Sequence, residues 1–170
     1  MKKKVVVFSQ LDQDILQRLQ AQYQVEVINP KLGDVNQQIR EQVKDADGMI
    51  GAGRLLNESN LATAQQLKII SSVSVGYDNY DLAYLNQKKI WLSNTPHVLT
   101  ETTADLAFTL LMSAARKVPY LDQWTKQGQW KRTAAEAQFG RDISAKTLGI
   151  IGLGNIGAAI ARRGFYGFNM

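Results

Sequence analysis

The 170-residue sequence contains no cysteine, a single histidine and three prolines. Without cysteine there is no disulfide framework, no thiolate zinc site and no thiol nucleophile. One histidine, His97, cannot build a metal centre, which needs several ligands, so no metal is expected. Long apolar runs are missing too. Met1 to Lys4 mimics the basic start of a secretory leader, but Val5-Val6-Val7-Phe8 stops at Ser9. A leader needs about 7–15 apolar residues and a membrane span about 20. These absences lead to the expectation of a cytoplasmic protein with no membrane partner. Basic residues outnumber acidic ones 20 to 15, yet the pairs Arg116-Lys117, Lys131-Arg132 and Arg162-Arg163 are scattered. A nucleic-acid footprint would gather them into a stripe interleaved with aromatics, so no nucleic-acid partner is expected.

What is present describes a folded chain. A hydrophobic share of 45% excludes disorder, and a chain of this length buries about 70% of its unfolded surface. That is enough for one domain, or for one domain and part of another. Strand and helix periods alternate along the first half. Lys4 to Ser9 reads as a strand, Leu11 to Tyr23 as a helix through Ile15, Leu16 and Leu19, and Val25 to Ile28 as a strand. Val35, Ile39 and Val43 step by four, Met49-Ile50 is extended, and Leu61 to Leu67 is helical. Ile69 to Val75 is extended, a short helix covers Tyr80 to Asn86, and Ile90 to Leu92 is extended. Five strands with intervening helices predict an α/β fold with a doubly wound parallel sheet of the flavodoxin-like kind, because parallel neighbours require crossovers. Ligands of such sheets bind beyond the strands' carboxyl ends, here after Ile50, Val73 and Leu92.

Residues 1–99 are expected to form this first domain, with the boundary at Asn94-Thr95-Pro96. Thr100 is the expected N-cap of a helix from Ala104 to Arg116, apolar almost all round and so expected to be buried between domains. Glu101 suits its positive end. Pro119 is expected to end or kink it, and Gly128 to close the next helical stretch, through Trp124. Residues 129–143 are a mixed connector. Lys146 to Ile151 reads as a strand running into Gly152-Leu153-Gly154-Asn155-Ile156-Gly157 and then a helix, Ala158 to Arg163. A lone GxGxxG is weak evidence, but strand before and helix after are the context of a dinucleotide site. The first glycine permits the turn, the second lets backbone approach a pyrophosphate, and the third lets helix and strand pack. A tight structural turn is the alternative. The residue that reads the adenine ribose would lie about 20 residues beyond the motif, past Met170. Residues 100–170 are therefore expected to be an inter-domain helix and the start of a Rossmann nucleotide-binding domain, and the chain the front part of a longer enzyme.

Three stretches carry a family resemblance: Val73-Ser-Val-Gly-Tyr-Asp-Asn79; Asn94-Thr-Pro through Leu99-Thr-Glu-Thr-Thr-Ala-Asp105 to Ala115-Arg116; and Lys146 to Met170. In them the chain resembles the D-isomer-specific 2-hydroxyacid dehydrogenases, and among these the bacterial glyoxylate/hydroxypyruvate (2-ketogluconate) reductases. The resemblance spans essentially this whole chain but about half of a typical member. It implies a first domain that binds substrate and an inserted second domain that binds NADP or NAD, with NADP favoured by the branch. The implied reaction is reduction of a small 2-keto acid such as glyoxylate, hydroxypyruvate or 2-ketogluconate to the D-2-hydroxy acid, by a homodimer of the full-length protein.

The backbone amides of Val75 and Gly76 match the family's cradle for the substrate carboxylate. The bland reading of Gly76 is a turn requirement. Thr103 matches a position near the nicotinamide, or is simply structural in the first turn of its helix. Arg54, in the loop after the third strand, meets an anionic substrate or is surface. The resemblance places the catalytic arginine, glutamate and histidine beyond Met170, which leaves no catalytic residue in this chain and gives His97 a structural role. A non-catalytic nucleotide-binding or regulatory module is the alternative function.

Overall fold

Val5-Val6-Val7 is wholly β-branched, which suits a pleated, half-buried surface. It forms the heart of β1 (Lys4–Val7) in the computed structural model, which describes residues 2–170. The other strands are β2 (Gln24–Val27), β3 (Gly48–Gly51), β4 (Ile69–Ser72) and β5 (Trp91–Ser93). All neighbours pair in parallel, in the order β2-β1-β3-β4-β5. The crossovers run through α1 (Gln13–Gln22), α2 (Val35–Gln42), the single turn α3 (Glu58–Leu61) and α4 (Leu82–Lys88). The doubly wound parallel sheet expected from the alternating periods is therefore the observed fold. Val6 and Val7 project to opposite faces and both are buried, so the sheet is covered on both sides. Phe8, Ile39, Met49, Leu56, Leu61, Ile70 and Leu85 complete the main core.

Local chemistry fixes the helix ends. The carboxylates of Asp34 and Asp81 accept from the amides of Gln37 and Tyr84, at 2.7 and 3.0 Å, and so cap α2 and α4. The helix expected over Leu61 to Leu67 is instead α3, which ends where that stretch begins. Beyond it the Thr63 hydroxyl donates to the Arg40 carbonyl, and the Gln65 amide to the Lys44 carbonyl. Those bonds tie the segment to the end of α2 rather than to itself.

The chain divides into two compact units, Met1–Pro96 and His97–Met170. The second is built on α5 (Thr100–Ala115), α6 (Val118–Lys126) and α7 (Asn155–Arg162), with a π-helical turn over Arg163–Gly167. Leu99, not Thr100, occupies the N-cap of α5, and no side chain caps it. Glu101 does lie in its first turn. The expected burial of α5 is only partial. Ala104 and Phe108 are buried, whereas Leu106 and Leu110 stay exposed; within this unit the helix packs chiefly against α7. The break after α5 falls at Lys117, whose φ is +55°, and Pro119 lies in the first turn of α6, where its missing N–H has no partner to lose. Gly128, at φ +69°, follows the end of α6 as expected. Lys146 to Ile151 forms no strand. It has no pairing partner among the described residues, and Ile151 is fully exposed.

Candidate functional site

In the first unit, all five strands point their carboxyl ends to one edge, and the loops after β3, β4 and β5 gather there. The loop after β4 is held by its carbonyls. Thr95 donates its amide to the Ser74 carbonyl at 3.0 Å, the Asn94 side chain to the Val75 carbonyl at 2.8 Å, and the Ser74 hydroxyl to the Gly76 carbonyl at 2.7 Å. No bond among the described residues engages the amides of Val75 and Gly76. A loop with its acceptors tied back and its donors free is a ready anion cradle. Gly76 has no left-handed φ, and a Cβ built on it would meet only the Asp78 carboxylate, at 3.5 Å. The turn therefore does not require glycine at this position. Asn94 and Ser74 are the residues that sequence reasoning missed. Both lie within motifs read for resemblance, but their roles depend on a contact between two loops that spacing does not reveal.

Arg54 lies in the loop after β3. The Asn79 side chain donates to its carbonyl at 2.8 Å, fixing the loop against the one after β4. Arg54 is half-buried as a residue, and its guanidinium makes no hydrogen bond or ion pair among the described residues. It borders a crevice of about 590 Å³ between the ends of β1, β2 and β3, lined also by Ser9, Gln10 and Asn29. This is the point where the strand order reverses, the usual ligand position in such sheets.

In the second unit, the three motif glycines differ in kind. Gly152 has φ +87°, a turn requirement. Gly157 is buried, and a Cβ there would run into the Gly152 carbonyl oxygen, a packing requirement. Gly154 has neither constraint: it caps α7 at an ordinary φ of −78°, and nothing lies within 4 Å of where its Cβ would be. α7 begins with no side-chain cap, and the amides of Asn155, Ile156 and Gly157 have no partner among the described residues. Leu153 is exposed beside them. An uncapped helix start next to an open glycine suits a pyrophosphate.

Thr103 is exposed in the first turn of α5, its amide bonded to the Leu99 carbonyl at 2.9 Å. His97 is exposed, with φ +67°, and its Nδ1 lies 3.3 Å from the Asn155 side-chain nitrogen. No group of three or more metal-ligating side chains occurs among the described residues, and no helix is long and apolar enough to cross a membrane.

The first unit thus offers a parallel α/β sheet with an anion-ready loop, and the second a glycine-rich helix start. Comparison with known proteins gives the family. Residues 5–164 match the model of the D-isomer specific 2-hydroxyacid dehydrogenase catalytic domain, and the chain belongs to that family. Glyoxylate/hydroxypyruvate reductase B of Citrobacter koseri is 38% identical over all 170 residues, which cover 52% of that protein. Among solved structures, the NADPH-dependent glyoxylate/hydroxypyruvate reductase of Sinorhizobium meliloti, in complex with NADP and malonate, is 31% identical with a TM-score of 0.76. The alignment covers 96% of this chain and 50% of that one. A 2-hydroxyacid dehydrogenase of Ketogulonicigenium vulgare is 25% identical with a TM-score of 0.84, covering 100% of this chain and 53% of its own. The chain thus spans about half the length of the relatives it matches.

Proposed function

We propose that these residues supply the substrate-carboxylate loop and the start of the nucleotide cradle of an NAD(P)H-dependent reductase, which converts a small 2-keto acid to the D-2-hydroxy acid. Glyoxylate, hydroxypyruvate and 2-ketogluconate are the candidate substrates. The observation that carries this reading is the pair Gly76 and Gly154. The fold needs glycine at neither position, and each stands beside unengaged amides where the family binds substrate and cofactor. A ligand that must approach the backbone closely explains both.

In this reading the Val75 and Gly76 amides donate to the substrate carboxylate, and the Arg54 guanidinium adds positive charge nearby. The amides at the start of α7 receive the pyrophosphate, with Gly154 leaving it room, and the Thr103 hydroxyl lies toward the nicotinamide. The bound nucleotide supplies the hydride. Proton donor and carbonyl-polarising guanidinium are assigned outside these residues, so the 170-residue chain alone is proposed to be without turnover. The NADP bound to the Sinorhizobium relative supports NADPH as the reductant. Assembly as a homodimer, in the cytoplasm, completes the proposal; the exposed Leu106, Leu110, Val118 and Trp130 of the second unit offer apolar surface for a subunit contact.

Amide-resolved NMR titration tests it. Glyoxylate or 2-ketogluconate should shift the Val75 and Gly76 amides, and NADPH should shift those of Gly152 to Gly157. If both loops stay silent at millimolar ligand, the reading fails.

A further inference from the structure

Arg163 begins the turn that follows α7, and α5 grips its guanidinium. Nε donates to Asp105 Oδ1 at 2.8 Å, and one terminal nitrogen to Glu101 Oε2 at 2.9 Å. The other terminal nitrogen returns to the Ala159 carbonyl at 3.0 Å. Arg162 adds a bond to the second Glu101 oxygen, also at 3.0 Å. Glu101 and Asp105 are four residues apart on one face of α5, where like charges repel unless a cation stands between them. Arg163 does so with its side chain only 23% exposed. The hydrogen bonds to Asp105 first, and to Glu101 second, raise its pKa above the usual arginine value. A single surface ion pair contributes little. One fork tied to two carboxylates and to its own helix is a different object, because it fixes direction as well as distance.

The two helices run side by side in the same direction. His97 lies opposite Asn155, Glu101 opposite Arg162, Asp105 opposite Arg163, and Phe108 stacks on Phe168 at 5.1 Å. Their amino ends therefore lie at the same end of the pair. Any slide of α7 along α5 moves the Asn155 to Gly157 amides relative to Thr103. Within α7 only the small residues Gly157 and Ala159 are buried, and residues 146–151 have no strand partner among the described residues, so beside the Phe108–Phe168 stack the polar fork is the directional restraint on that slide.

We propose that Arg163 is a positioning residue for the cofactor: held by Glu101 and Asp105, it sets the register of α7 against α5, and so the spacing between the pyrophosphate cradle and Thr103. The inference rests on the nucleotide reading of the glycine loop. Arg163 acts through α7, without touching the ligand.

The test uses the whole 170-residue chain with NADPH as probe, read by the amide shifts of Gly152, Gly154 and Asn155. R163Q should weaken NADPH binding about tenfold. R163K keeps the charge but loses the fork, and should lose only about threefold. That graded rescue would not follow from simple loss of packing. The double variant E101Q/D105N changes α5 alone and should match R163Q, and combining all three substitutions should cost nothing further, as expected for groups acting as one unit. If R163Q loses helical signal, the α5 double variant carries the comparison. Wild-type binding with equal affinity in every variant, or fully additive losses, would overturn the positioning role while leaving the nucleotide site intact. No NADPH shift in the wild type would overturn the nucleotide reading, and this inference with it.

Discussion

Gly154 and Gly157 are three residues apart in one motif, yet the structure asks different things of them. A Cβ on Gly157 strikes the Gly152 carbonyl, backbone that cannot swing aside, whereas a Cβ on Gly154 meets open space. Gly157→Ala should therefore destabilise the second unit, visible as lost helical circular dichroism or a lower Tm, and weaken nucleotide binding as a consequence. Gly154→Val should lower Tm by only a few degrees, the cost of a poorer N-cap, while weakening NAD(P)H binding in a fluorescence titration. Unchanged affinity in Gly154→Val would make the loop purely structural. Charge offers a second contrast at this scale. The Lys4 ammonium lies 2.5 Å from the Asp45 carboxylate and, chiefly through that hydrogen bond, holds its pKa below the usual 3.8. A depressed carboxylate pKa favours the folded state above the unfolded value, and that preference disappears as pH falls through the folded one. Asp45→Asn should thus melt slightly below the wild type at pH 7, and the gap should close below pH 3.8. A gap that persists in acid would assign the effect to packing.

Elements were legible where periodicity reflects burial. β1, β3 and β4 were readable because Val6, Met49 and Ile70 are buried in short apolar runs, and the parallel pairing follows from the helical crossovers between strands. Boundaries set by contacts distant in sequence were not readable. The turn after α3 depends on carbonyls of Arg40 and Lys44, and the segment over Lys146 to Ile151 had the composition of a strand without a neighbour to pair with. The site followed the same division: the glycine spacing was visible, whereas the Asn94 and Ser74 bonds that free the Val75 and Gly76 amides were not. Helix ends hold one more feature that sequence concealed. Lys89 terminates α4 at φ +57°, a conformation that favours glycine. Lys89→Gly should stabilise the first unit by about 0.5–1 kcal/mol, read from the urea midpoint at unchanged m-value. A destabilised variant would mean that the lysine side chain contributes more than its backbone costs.

At the scale of the whole molecule, the proposed reading gives the two units recognition groups rather than a complete reaction centre. Reducing a keto acid needs a donor for the carbonyl oxygen, a positive group to stabilise it as charge develops, and a nicotinamide held in line with the carbon. Among the described residues the sole histidine is exposed, bonded toward Asn155 and set in a left-handed backbone. Arg54 belongs to the first unit's loops, and Arg163 is committed to Glu101 and Asp105. Among the described residues, no parallel strand stands behind the second unit's glycine loop. Purified 170-residue chain should therefore bind ligands weakly and show no keto-acid-dependent oxidation of NADPH or NADH, measured by absorbance at 340 nm beside a full-length family relative. The mixture of glyoxylate, hydroxypyruvate and 2-ketogluconate assays matters, because silence toward one substrate could reflect specificity alone. Turnover comparable to the relative's would refute the division of labour proposed here. It would also make His97 the first residue to replace, since His97→Asn would then have to abolish the activity.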